Sequence, residues 1–217
     1  MKKFILLGIP IFFYRNSILY FYYNLEGLIN LIVILICLIF LLKRTTFRNM
    51  FDWFIGICFV IYFCILYYQT IYLRGFIFEG YNHSVENLKS LFYTINLIPI
   101  KGIISEITIN PSVLSALYQI FGNTFMLTPF TFAMLYFKWT KSYKQTIWYS
   151  FICTAGIELI QFFQSLFYAL FVIGLRRSTD IDDIILNTIG AGIGIGCYYL
   201  WSKIEIRFNK GNSNISI

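Results

Sequence analysis

Charge is what this chain has least of: 12% of its 217 residues are Asp, Glu, Lys or Arg, against about 25% in soluble domains. With 59% hydrophobic residues, the surface cannot be clothed for water, which excludes an ordinary soluble globular domain. Histidine is nearly absent as well. The single His83 has no histidine or cysteine nearby in sequence, which excludes a histidine-based metal centre and makes a solvated loop residue the better reading. The five cysteines, Cys37, Cys58, Cys64, Cys153 and Cys197, all fall inside apolar stretches without a CxxC spacing. That excludes a zinc site or a secreted disulfide framework and leaves small side chains packed among apolar ones. Repeats and low-complexity tracts are also lacking. The net charge of +7 has no continuous basic face behind it. Its lysines and arginines sit in short runs between apolar stretches, so nucleic acid is excluded as a partner.

What the chain does have is long apolar runs. A bilayer core of about 30 Å asks for about 20 apolar residues per helix, and five segments meet this: 25–42, 53–72, 118–137, 146–163 and 184–201. The expected fold is an all-α, polytopic transmembrane helical bundle of five to six spans. Residues 4–23 leave the count open, since Pro10, Arg15 and Asn16 interrupt them. Lys43, Arg44 and Arg48, then Lys138, Lys141 and Lys144, then Lys203, Arg207 and Lys210 follow alternate spans. The positive-inside rule makes those ends, and the C-terminus, cytoplasmic. Trp53, Trp139, Trp148 and Trp201 fall on the same side. The organisation expected is residues 1–93 as N-terminal membrane segments and an outer loop, 94–203 as a membrane core, and 204–217 as a short cytoplasmic tail.

Polar residues in the core segments keep helical spacing. Thr154, Glu158, Gln161 and Ser165 share one face of the fourth span, and Asp183, Asn187, Gly190 and Gly194 share one face of the fifth. The third span adds Gln119 and Asn123 ahead of Thr124, Thr128 and Pro129. Asn123, Glu158 and Asn187 each come about 5–10 Å inside the outer boundary of their spans, which predicts a shared pocket. Gly190, Gly192, Gly194 and Gly196 form two overlapping GxxxG spacings suited to close packing against two neighbours or a second copy. Between spans four and five, residues 166–175 are apolar but too few to cross, so a re-entrant or interfacial lid is expected before the last span. The acids after it have a structural explanation: Thr179-x-x-Asp182 fits a capping box, and acids suit a first helical turn. A buried ion pair of Arg177 with Asp180 or Glu158 is equally structural. The alternative is a functional pocket formed by Asn123, Glu158, Gln161, Arg177, Asp180, Asp183 and Asn187.

The run Arg177-Ser-Thr-Asp180-Ile-Asp182-Asp183-Ile-Ile-Leu-Asn187-Thr-Ile-Gly190, with Ile157-Glu158-Leu-Ile-Gln161 before it, resembles the closing motifs of the VanZ-like membrane proteins. Asn96-Leu-Ile-Pro99 and Gly122-Asn123 followed by Pro129-Phe130 match in order and spacing too. The resemblance covers residues 94–200 and departs from the pattern at Ile100-Lys101, where many relatives carry an aromatic. It implies a bacterial plasma-membrane protein associated with reduced susceptibility to teicoplanin and related lipoglycopeptides in Gram-positive bacteria, and it supplies no mechanism. Three functions stay open. One is binding or modification of a membrane lipid or cell-wall precursor headgroup at the outer face, Arg177 meeting an anionic group. Another is an enzyme in which Glu158, Asp180 and Asp183 gather Mg²⁺ or act as acid and base, no other cofactor being implied. The last is a lipid transporter or a scaffold.

Overall fold

Asparagines start the first two long helices. The computed structural model describes residues 2–20, 22–73, 89, 91–93, 95–109, 112–171 and 178–213. In it the Asn24 side chain accepts the Gly27 N–H at 2.9 Å to open α3 (Leu25–Lys43). Asn49 and Asp52 form a reciprocal capping box for α4 (Met50–Thr70), which satisfies N–H groups that a helix start leaves unpaired. Ahead of them lie a 3₁₀ segment (Lys2–Leu7) and the short helices α1 (Gly8–Phe13) and α2 (Arg15–Leu19). After them come β1 (Ile95–Asn96), α5 (Lys101–Ile109), α6 (Val113–Met126), α7 (Thr128–Tyr136), α8 (Tyr143–Phe171), β2 (Thr179–Asp180) and α9 (Ile181–Ser213). Four helices are by themselves long and apolar enough to cross a membrane: α3, α4, α8 and α9.

The N-terminal segment is broken into short pieces that pack along α3. Lys3 Nζ donates to the carbonyls of Lys43 at 3.1 Å and Thr45 at 2.8 Å, beyond the C-terminal end of α3. At the other end, Ser17 is buried against Gly27 and its hydroxyl accepts from Asn24 at 3.0 Å. Residues 3–17 therefore run antiparallel to α3 along nearly its whole length.

The third expected span is also broken. α6 ends at Met126 and α7 restarts at Thr128 with Pro129 in its first turn, because proline has no N–H to continue the ladder. Tyr62 Oη donates to the Met126 carbonyl at 2.6 Å, satisfying a carbonyl that lipid could not. α8 differs from expectation in length: at 29 residues it rises about 43 Å. Residues 166–171 of the expected lid are thus its last turns, and 172–177 lie outside the described residues. α9 likewise continues to Ser213, so most of the tail expected at 204–217 is helical.

α9 packs against α6, α7 and α8. A Cβ at Gly190 would stand 1.8 Å from the Thr124 carbonyl oxygen, and one at Gly194 would stand 2.5 Å from that of Thr128. These two glycines therefore seat α9 on the α6–α7 break, as GxxxG spacing allows. Gly192 and Gly196 face open space. Thr128 Oγ1 donates to the Gly190 carbonyl at 2.9 Å across the same contact. The main apolar core joins Leu6, Ile34, Leu38, Phe59, Val60 and Cys64 to Ala133 and Phe137. Fully buried Asn30 locks α3 to the turn after α4: its Nδ2 donates to the Glu26 and Leu73 carbonyls, each at 2.8 Å. Its Oδ1 accepts from Tyr67 Oη at 2.7 Å and from the Leu73 N–H at 2.8 Å. In an apolar surrounding such an amide is tolerable because both ends are satisfied.

Candidate functional site

The end of the bundle where α4 and α8 finish and α6 and α9 begin gathers the acids, while the lysine- and arginine-rich turns lie at the other end. A short parallel pairing organises the acidic end: Ile95 opposes Thr179 and Asn96 opposes Asp180. Asn96 Nδ2 donates to Asp180 Oδ1 at 2.8 Å, and the same oxygen accepts the Asp182 N–H at 2.8 Å. Asp180 is therefore the residue that caps α9, in place of the Thr179 expected.

Asp182 does something capping of its own helix does not require. It is 2% exposed, and its Oδ1 accepts the Ile100 N–H at 2.5 Å while Oδ2 accepts the Ile103 N–H at 3.1 Å. The N-terminus of α5 is thus capped by a carboxylate from α9, and the positive ends of two helix dipoles converge on one acidic group. Ile100 enters this turn with φ of 69°, the left-handed region that a branched side chain enters only when its surroundings hold it there. Gly102 comes next, and a Cβ there would stand 2.2 Å from Asp180 Oδ2; only glycine lets α5 settle so closely on the acids.

Between α5, α6 and the start of α9 lies a cavity of about 250 Å³. The described side chains around it include Glu106, Asp180, Asp182 and Asp183, with Lys101 the one cation among them. Amides pair with the acids: Asn123 Nδ2 donates to Asp183 Oδ1, and Gln119 Nε2 to Glu106 Oε1 at 3.3 Å. Burial raises the Asp180 carboxyl above its ordinary value, an effect the Asp182 N–H and Asn96 amide oppose and the neighbouring charges of Asp182 and Glu106 reinforce. Among the described residues no three histidine, cysteine or acidic side chains come together as ligands for one metal ion.

Most of the residues singled out by spacing do converge. Glu158 is 4% exposed and turned into the bundle, its Oε2 accepting the Asp180 N–H at 3.0 Å. Asn187, 1% exposed, lies one turn below Asp183 and donates to its carbonyl at 2.7 Å. The Asn187 Oδ1 and the Thr154 hydroxyl are buried without a partner among the described residues. Neither Glu158 nor Asn187 reaches the cavity wall; they underlie it. Gln161 is turned towards the end of α4 and does not line this cavity. Its amide donor is committed to the Thr70 carbonyl at 3.1 Å, and Gln164 donates to Ile71 at 2.8 Å, so both satisfy carbonyls left open at the end of α4. Arg177 lies outside the described residues, as do Arg74, Glu79, His83 and Glu86. Sequence reasoning passed over Lys101, Gly102 and Glu106, whose segment becomes part of the site only through pairing with residues about 80 positions later. The signal that was available was Asn96, the first residue of a recognised motif.

A sequence model of the VanZ/LLP1 family matches residues 59–202 of the chain, reaching back into α4, well before the first motif at Asn96. No curated protein and no solved structure matches the chain.

Proposed function

The chain belongs to the VanZ/LLP1 family, and on that premise we propose that it binds a lipid or cell-envelope headgroup in the cavity at its acidic end. The observation that carries this reading is the two-sidedness of α5. Gly102, Ile103 and Glu106 line the cavity, whereas Ile104 and Ile107, on the other side of the helix, are 56% and 50% exposed. A short helix with Ile104 and Ile107 outward and Lys101, Ser105 and Glu106 on the cavity side suits a membrane interface and gives the cavity a wall at headgroup depth. The described wall holds four acids and one lysine. The headgroup it suits therefore offers hydrogen-bond donors, such as sugar hydroxyls or amines. By the positive-inside rule the acidic end is external, where a cell-wall precursor or the lipid-like tail of a lipoglycopeptide would be met. Reduced teicoplanin susceptibility follows if occupying that headgroup keeps the drug from its target.

The test is expression in a lipoglycopeptide-susceptible Gram-positive host, with the amount of folded protein in the membrane measured beside teicoplanin susceptibility. The native chain should reduce susceptibility, and Asp183→Asn and Glu106→Gln should each restore it at unchanged folded yield. Protection that survives both substitutions, or a native chain that gives none, would overturn the proposal.

A further inference from the structure

The basic end of the bundle carries a second cavity of about 250 Å³, remote from the acids. Phe40 of α3 and Arg44 just beyond its end, Met134 of α7, Trp139, and Ile152 and Cys153 of α8 line it. Its walls are apolar. Arg44 is the one charged side chain among the described residues that line it, and no carboxylate does.

Beyond its share in the positive-inside pattern, the arginine side chain caps no carbonyl and pairs with no carboxylate among the described residues. The last carbonyls of α3 are already taken without the guanidinium: Leu41 accepts from the Arg44 N–H and Thr45 Oγ1, Leu42 from the Thr45 N–H, and Lys43 from Lys3 Nζ. No carboxylate among the described residues pairs with Arg44; instead its guanidinium is held 4.4 Å from the centre of the Phe40 ring, a cation–π contact that fixes its position and leaves its charge uncompensated. Trp139 donates from Nε1 to Thr45 Oγ1 at 3.1 Å, and an indole so anchored marks the headgroup layer. An unneutralised, ring-mounted guanidinium therefore stands at headgroup depth over an apolar groove that runs towards the bilayer centre.

We propose that this groove holds one acyl chain of an anionic membrane phospholipid, with its phosphate on Arg44. The lining itself selects this occupant: apolar side chains meet a lipid tail, whose burial is favourable for each methylene, and the guanidinium fork of Arg44, the one charge among them, suits phosphate oxygens. The proposal is independent of the reading given to the acidic end.

The experiment uses the full chain reconstituted in vesicles of equal phosphatidylglycerol and phosphatidylcholine with matched acyl chains. After mild extraction, native mass spectrometry counts the lipid that stays bound. The native chain should retain one phosphatidylglycerol in roughly fivefold preference over phosphatidylcholine, the factor expected of one basic side chain at a membrane surface. Arg44→Gln should bring that ratio to one, and Cys153→Trp, which fills the groove, should remove the bound lipid of either kind. Arg44 is exposed, so its substitution leaves the packing intact and the headgroup comparison stands even where Cys153→Trp lowers the yield. Equal retention of the two lipids by the native chain, a preference that survives Arg44→Gln, or a lipid-free dimer would each overturn the proposal.

Discussion

Asp182 shows how far a residue's role can depart from its neighbourhood in sequence. Its position in a first helical turn suffices to account for an aspartate there, yet its two oxygens hold the N–H groups of Ile100 and Ile103. Asparagine is nearly the same size but offers one acceptor and sets a donor against the second N–H. Asp182→Asn should therefore destabilise the acidic end by about 1–3 kcal/mol, the range for a buried donor left unpaired. The expected result is a lower melting temperature in detergent with faster amide exchange through residues 100–109; unchanged exchange there would remove Asp182 as the anchor of α5. Glu158 illustrates the opposite case. Its helical spacing with Thr154 and Ser165 predicts a face turned away from lipid, and all three are buried.

Elements carry most of what was legible. Apolar length located α3, α4, α8 and α9, and Pro129 marked the α6–α7 break. Their ends were less legible: nothing in the apolar run after Phe163 stops a helix, so α8 continues to Phe171. The glycines of α9 separate cleanly by face. Gly190→Ala should push α9 off the Thr124 carbonyl and lower both folded yield and melting temperature, while Gly192→Ala, with open space around it, should leave both unchanged or slightly raised, alanine being the better helix former. Equal effects from the two would mean that α9 does not seat on α6 through this face. What spacing alone could not give is the pairing of β1 with β2. Two residues on each side are too few for any periodicity, and their partnership depends on how the long helices bring the segments together.

At the scale of the whole molecule, the N-terminal segment runs from Lys3 to Ser17 along α3. A crossing by that segment would put both termini on one side of the membrane. Reporter fusions at the two termini should give the same cytoplasmic signal, and opposite signals would make the first segment an interfacial one. The acidic end, by contrast, closes only when distant parts of the chain meet. A ribosome delivers residues 100 and 103 long before residue 182, so the two amides have no carboxylate to meet until the final helix leaves the ribosome. Assembly of that end is therefore a late act of biogenesis: a released chain truncated before residue 178 would be membrane-integrated yet protease-sensitive at residues 95–109, and the chain with its final helix would be protected there.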